Sequence, residues 1–511
     1  MLSQLPFDSA HVLVLVGVFT VLYLALFLIQ YTRYELRIRS LGVRAPVLAQ
    51  NPLTGLRWFI GAARAQLNHR LCDYFDDLFG QARGAPTGDD CVEVQVMPAG
   101  GQRYIITRDP EHVKAVLAGQ FAHFGKGKEF HDLWSPFLGD SIFTTDGQLW
   151  HDSRSMIRPM FVKDRVSDLV VFERWSDALS LFYCMTLDIT TDFLLGAAVD
   201  SLSNPRDEFA EAFNEVQRLQ MYLTMMGPFR GVVPRGRYNA GIRAIDRFVM
   251  PYIEAALALP AAELEKRILA TASDFTFLHS VARHTRDPKV LRDQIVAVLL
   301  AGRDTTAATL SWTFYELSRY PAKVARLRAE ILDSVGPAPA TPTYDNLKNM
   351  PYLRHVLNET LRLYPAVPYN LRIALEDTTI PSREGQGPPI AVLKNDVVVY
   401  STLSMQRRRN LYPKSKDGSG HFVDPAVFEP ERWENWTPKP WTYVPFNGGP
   451  RICVGQNFAL TEMAYVVVRL LQKYDKIEYV GDWNAQFHEP EIVGKPGQGV
   501  KVRLYEAAKA A

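Results

Sequence analysis

The longest unbroken apolar run lies near the start of the chain, where Val12 to Ile29 carries no charge and is interrupted only by Gly17 and Thr20. A run of this length crosses a bilayer as one helix. No basic residue precedes it and no small-x-small site closes it, which disfavours a cleaved signal peptide. Arg33, Arg37, Arg39 and Arg44 follow it, and basic flanks mark the cytoplasmic side. The pattern predicts a luminal tip and anchor over residues 1–31, then a basic hinge over 32–59 punctuated by Gly42, Pro46, Pro52 and Gly55.

Shorter periods follow. Val92, Val94 and Val96 alternate with Glu93 and Gln95, and Tyr104-Ile105-Ile106-Thr107 comes after Gly100-Gly101, so a β-hairpin is expected. Phe121 to Phe143 is aromatic yet broken by Gly125, Gly127, Pro136 and Gly139, which predicts a loop; Phe121, Phe130 and Trp134 then either pack into the core or wall a pocket. Helices are expected over Asp207–Met226, stopped by Gly227-Pro228, and over Ala240–Ala258, with a kink at Pro251. Between them Phe229, Val232 and Val233 suit contact with a membrane. Asp287-Pro288 starts a pattern that runs unbroken to Tyr320-Pro321, a helix of about 50 Å. Tyr352–Tyr364 puts Leu353, Val356, Leu357, Thr360 and Leu361 on one face, and two prolines then force Tyr364 to Arg372 into an extended path. Phe458–Tyr474 reads as an apolar helix, and Ile492–Tyr505, rich in glycine, as a hairpin.

Composition adds mainly exclusions. The 511 residues are enough for three domains by length alone, and a formal charge of +2 gives no pull toward nucleic acid. Cys72, Cys91, Cys184 and Cys453 show no C-x-x-C spacing, so neither a disulfide framework nor a zinc site is indicated.

Candidate chemistry sits in four places. Cys453 lies in a glycine-rich loop just before a helix, where Gly449, Gly455 and the helix N-terminus favour a thiolate, and Arg451 suits a nearby carboxylate. Trp150 and Arg154 are four apart on one helix face and can offer an indole N–H and a guanidinium to one anion. Ala301-Gly302-Arg303-Asp304-Thr305-Thr306 places small residues, an acid and a hydroxyl inside the long helix at a cost in helix propensity. Glu359 and Arg362 are three apart and can pair.

Phe446 to Gly455 matches F-x-x-G-x-R-x-C-x-G at every fixed position and resembles the haem-binding loop of the cytochrome P-450 superfamily. The resemblance covers nearly everything after residue 60, with the other motifs in the family's order. It implies a mainly α fold with small β-sheets, one haem domain over residues 60–511, and haem b held by Cys453 as axial ligand, with Phe446, Gly449 and Gly455 shaping the loop. Arg451, Trp150, Arg154 and Arg372 would meet the haem propionates; Ala301 and Gly302 would leave room for O₂; Asp304 and Thr305 would order water and deliver protons. Glu359, Arg362 and Arg432 would form a structural charge cluster, while Val367 and Tyr369 would face substrate. NADPH and flavins would act only through a separate NADPH-cytochrome P-450 reductase, docked on basic residues such as Arg407 to Arg409, because no G-x-G-x-x-G follows a strand. The enzyme would sit as a single-pass protein of the endoplasmic reticulum membrane, its catalytic domain facing the cytosol.

Within the superfamily the segments Arg362 to Arg372, Gln406 to Arg408 and Phe446 to Glu462 look most like the fungal alkane and fatty-acid hydroxylases. That implies O₂-dependent hydroxylation at or near the end of a long alkyl chain. The alternatives are a tailoring oxidase for a secondary metabolite and a haem protein without monooxygenase activity; the presence of Asp304 and Thr305 disfavours the latter.

Overall fold

The computed structural model describes residues 9–49, 51–79, 81, 90–95, 102–161, 182–199, 201, 208–269, 276–382, 387–413 and 423–507. Val96, Gly100, Gly101, Asp207 and the side chain of Phe229 lie outside the described residues. The fold is mainly helical, with one six-stranded sheet and three two-stranded ones among those residues.

The anchor run forms helix Ser9–Leu41, and the most apolar 18-residue window within Val14–Leu41 has a mean hydropathy of 2.2 and is not buried. It is the one helix among the described residues long and apolar enough to cross a membrane. Instead of ending in a free hinge, the helix continues into the domain. Ile38 is buried against Ala391 and Leu393, and the Ala391 N–H donates to the Val43 carbonyl at 2.8 Å. Gly42 is needed there, since a Cβ would fall 2.1 Å from the Pro389 carbonyl oxygen. Val47–Ala49 then joins the sheet in parallel with Cys91–Gln95, so residues 32–59 contain a helix end, an edge strand and the start of helix Pro52–Leu67.

The large sheet runs in the order Val47–Ala49, Cys91–Gln95, Arg103–Thr107, Val397–Ser401, Tyr369–Ala374, Phe124–Gly125. Its antiparallel pair Cys91–Gln95 and Arg103–Thr107 is the expected hairpin. Glu93 is buried as well as Val92 and Val94, because Arg103 and Arg44 both pair with it.

Phe121 to Phe143 is not a loop. A short turn and the two-residue strand lead into helix Gly127–Leu138, which tolerates Pro136 near its end. Phe130, Trp134 and Phe137 recur at helical spacing, and Trp134 and Phe137 join the core. Helices Glu208–Met225 and Gly236–Ala258 pack on each other and on the long helix Pro288–Arg319. That helix has 32 residues, about 48 Å. The Asp287 carboxylate caps it by accepting the Lys289 N–H at 2.8 Å. The C-terminal segment is one short hairpin set between the two strands of a second antiparallel pair. Gly494–Pro496 pairs with His488–Pro490, whereas Val502–Glu506 pairs with Tyr474–Tyr479. One of the two large apolar clusters among the described residues joins the long helix, helix Pro351–Leu363 and helix Gln456–Lys473.

Candidate active site

The cysteine loop is held by its own backbone and by one close approach. Cys453 N–H donates to the Phe446 carbonyl at 2.9 Å, and Gly449 has φ +64°. A Cβ on Gly449 would lie 2.0 Å from the Leu117 carbonyl oxygen, so only glycine lets the loop rest on the turn Ala115–Gly119. Gly455 differs from expectation. It caps helix Gln456–Lys473 at φ −88°, an ordinary conformation, and a Cβ would only touch Phe161 at 3.5 Å.

Cys453 is ringed by protein yet keeps one exposed side. Burial pushes its thiol up, while the Gly455 N–H and Arg154 pull the other way. The net direction is upward, opposite to the sequence expectation, because desolvation outweighs glycine amides and a helix N-terminus. Thiolate character at this sulfur therefore depends on a bound metal, which deprotonates a coordinating thiol outright.

A cluster of buried cations lies beside the loop. Arg451 Nη2 donates to the Thr145 carbonyl at 3.0 Å and to Asp146 Oδ1 at 2.6 Å, with its guanidinium 4.7 Å from the Trp150 ring centre. Asp146 also accepts the backbone N–H groups of Lys126 and Gly127. Lys126 Nζ reaches Asn370 Oδ1 at 3.3 Å and lies 4.5 Å over the Phe130 ring. Arg372 is 2% exposed and donates to its neighbour's carbonyl, Leu371, at 2.8 Å. Burial, together with Arg372 and Arg451, holds the Lys126 ammonium well below its ordinary range. Burial and Arg372 lower Arg451 to about 10.

Three cations thus face one carboxylate, Asp146, and Arg451 Nε is buried without a hydrogen-bond partner. An uncompensated buried charge is costly, and the cluster is the complement of a ligand bearing further carboxylates. The two propionates of haem supply that charge, so the residues present fit the group. Arg154 lies 5.9 Å from the centre of the same Trp150 ring and is the cation that acts on Cys453.

On the long helix Ala301 and Thr305 are half-exposed within an otherwise buried stretch, and Thr305 Oγ1 donates to the Ala301 carbonyl at 2.7 Å. Gly302 also has a packing role: a Cβ there would meet Thr190 Oγ1 at 2.9 Å, and that hydroxyl is tied to the Thr186 carbonyl, so Gly302 lets helix Phe182–Leu195 pack close. Asp304 is buried 3.2 Å from Arg303, and burial raises its carboxyl while Arg303 and Gln217 oppose the rise. Adjacent in sequence, Asp304 and Thr305 point about 100° apart on the helix. The acid faces helix Glu208–Met225, where Arg303 Nη1 also donates to Asn214 Oδ1 at 2.7 Å.

The expected charge cluster is present and fully buried. Arg362 forks onto Glu359 with two contacts of 2.8 Å, and Arg432 Nε approaches Glu359 Oε1 at 3.5 Å. Trp433 Nε1 and the Glu429 N–H complete the carboxylate, each at 2.9 Å. Gln406 links the cluster to the cysteine loop. Its amide donates to the Leu361 and Arg362 carbonyls and accepts the Val444 N–H at 3.0 Å.

The candidate pocket residues make these contacts: Phe121 packs 5.4 Å from the Trp150 ring and faces Arg451. Phe130 stacks on Trp134 at 5.3 Å beneath Lys126. Val367 is half-buried, and the Tyr369 ring meets Phe75 edge-on at 5.4 Å. The three arginines expected as a free docking patch are each engaged: Arg407 donates to the Leu363 carbonyl, Arg408 pairs with Asp90 and Arg409 with Asp424. Sequence reading missed Lys126, Asp146, Gln406 and Trp433. Asp146 precedes Gly147 at a helix start, a signal that was available; Lys126 sits between glycines like a solvated loop residue.

A cysteine in a glycine-shaped loop, a cation cluster suited to two carboxylates and a long helix with an open small-residue face fit a haem-thiolate oxygenase. A family model described as Cytochrome P450 matches residues 171–499. The chain is 44% identical to cytochrome P450 monooxygenase pvhE of Talaromyces variabilis over 93% of its length and 92% of that protein's. It is 41% identical to cytochrome P450 52A1 of Candida tropicalis over 73% of each chain, and 40% identical to cytochrome P450 52A13 of Debaryomyces hansenii over 81% and 82%. The chain belongs to the cytochrome P450 family, and it is a monooxygenase.

Proposed function

We propose that the enzyme hydroxylates a long alkyl chain, an alkane or fatty acid, at or near its end. When bound, haem iron with a thiolate ligand would supply O₂ binding and oxygen transfer, and Cys453 would hold it. Arg451, Lys126 and Arg372 hold the propionates, with Asp146 orienting Arg451 and Phe121 and Trp150 flanking it. Thr305, on the half-exposed face with Ala301, positions water, and Asp304 exchanges protons behind it. NADPH and flavins act through a separate reductase.

The observation that carries the substrate class is an apolar rim. Leu53, Leu56, Ile60 and Leu67 project from one face of helix Pro52–Leu67 with 81%, 44%, 51% and 63% exposure. Beside it stands the turn Gly227–Val232, whose Gly227 abuts Phe59 and whose Val232 is 75% exposed. A surface of this kind favours substrates that arrive from a bilayer, which the anchor helix also implies. A tailoring oxidase acting on a secondary metabolite is the second reading, because the cysteine loop and the cation cluster would serve either substrate.

Substrate-difference spectroscopy on haem-loaded protein decides between them. Long alkanes and fatty acids are expected to shift the iron from low to high spin; a shift only with polycyclic ligands overturns the alkyl-chain reading. The proposed location is the endoplasmic reticulum membrane, with the domain in the cytosol, and one sequon tests it. Asn435-Trp436-Thr437 has an exposed asparagine, whereas Asn358-Glu359-Thr360 lies in a helix with Thr360 fully buried. No deglycosylation shift is expected at Asn435, and its appearance reverses the topology.

A further inference from the structure

Beyond the oxygen-activating stretch, aromatic rings run in contact from the long helix to the surface. Trp312 lies seven residues past Thr305, about 10 Å along the axis and about 20° off its face. Its indole stacks on Tyr364 with ring centres 4.0 Å apart and planes 4° apart, and meets Tyr315 edge-on at 5.5 Å. Tyr315 contacts Trp483 at 5.1 Å and Tyr479 at 5.3 Å, and those two are 4.3 Å from each other. Trp312, Tyr315 and Tyr479 are buried, while Trp483 is half-buried and reaches solvent.

Core packing accounts for the burial of these rings but not for their composition. The file holds tryptophan and tyrosine, the aromatic side chains most readily oxidised by one electron, joined by His488 on the Trp312 face. Elsewhere in the core, Phe161, Phe193, Phe277 and Phe458 make an equally dense cluster from phenylalanine alone. The polar ends are also suited to electron loss. Tyr364 donates its phenolic proton to Glu316 Oε1 at 2.5 Å, and Trp312 Nε1 donates to the Gly494 carbonyl at 3.3 Å.

We propose that Trp312, Tyr364, Tyr315, Tyr479 and Trp483 form a conducting file that drains oxidising equivalents from the haem site when no substrate takes the oxygen. This rests on the monooxygenase chemistry of the family. One electron leaves Trp312 for the oxidised haem centre and is replaced through Tyr315 from Trp483 or Tyr479. Tyr364 shares the oxidation by passing its proton to Glu316 and recovers the proton when it is reduced. Trp483 releases its indole proton to solvent and is restored, proton included, by a one-electron reductant of the thiol or ascorbate class. Two such transfers, with two protons from solvent, convert the unused oxygen atom to water.

The test mixes haem-loaded full-length protein with an organic peracid in the absence of substrate and freezes it for electron paramagnetic resonance, with oxidised peptides mapped afterwards by mass spectrometry. Wild type is expected to give a tyrosyl or tryptophanyl radical and oxidation products at Trp483 or Tyr479. Trp312→Phe should lower both several-fold and speed haem bleaching. Trp483→Phe, at a half-buried site, should move the products to Tyr479. The reduced carbon monoxide adduct is checked first, since loss of its thiolate signature in wild type defeats the haem-thiolate reading and not the file alone. An unchanged radical yield and product map in Trp312→Phe overturns the proposal; if that variant does not hold haem, an unchanged map in Trp483→Phe does so.

Discussion

Glu462 shows how far a single residue departs from its ordinary chemistry in this core. It is fully buried behind the cysteine loop, only Thr306 offers its carboxyl a hydrogen bond, and burial raises it from 4.5 to about 8, with Thr306 offsetting the rise in part. Between pH 4.5 and 8 the native state keeps a proton that the unfolded chain gives up. Stability from this group is therefore complete below the lower value and is lost as pH rises through the upper one. Stability should fall across that interval by on the order of a few kcal/mol at most, seen as a drop in the thermal unfolding midpoint. Glu462→Gln, which imitates the protonated form, should flatten the fall; an equal slope in the variant refutes the assignment. Nothing in the sequence marks Glu462, since its burial comes from the long helix and the core around it. Cys453 and Arg451 are legible because loop chemistry fixes their spacing, whereas Gly302 is ambiguous until Thr190 is seen against it.

At the scale of elements, the bracing of the cysteine loop passes through short pieces that periodicity cannot detect. Helix Thr402–Gln406 has five residues, yet Gln406 joins the end of helix Pro351–Leu363 to Val444 ahead of the loop. Gln406→Leu would strand the buried Val444 N–H and two helix-end carbonyls, each costing about 1–3 kcal/mol if unmet. The expected result is a lower unfolding midpoint with faster loss of the thiolate-type carbon monoxide adduct, measured on the loaded protein. A lower midpoint with an unchanged adduct would separate Gln406 from the loop. The long helix, by contrast, was legible end to end from its Asp-Pro start and Tyr-Pro stop. Helix Gly127–Leu138 was hidden by Gly127 and Pro136, which suggest a loop, although Phe130, Trp134 and Phe137 carry the helical period.

Over the whole molecule, the relation between anchor and domain is the part that sequence reading misjudged, because proline and glycine also occur where a chain packs closely. Arg44, at the end of the anchor segment, pairs with Glu35 at 2.5 Å and with Glu93, and Glu93 is held in turn by Arg103, which reaches Asp396 at 2.6 Å. Glu93 and Arg103 are at most 1% exposed, so this network couples the anchor to the centre of the large sheet. Removing one partner of a buried pair costs about 3–5 kcal/mol. Two truncations separate a linker from a structural element. Deleting residues 1–30 removes the apolar run and leaves Ile38, Gly42 and Arg44 in place, so haem loading and unfolding midpoint should match the full chain in detergent. Deleting residues 1–45 strips Ile38 from Ala391 and Leu393 and leaves Glu93 one cation short, so the midpoint should drop sharply. Equal midpoints for the two would show that residues 32–45 act as a tether. A drop confined to the second fixes the domain to the anchor helix, and the apolar rim of helix Pro52–Leu67 then meets the bilayer at one set angle.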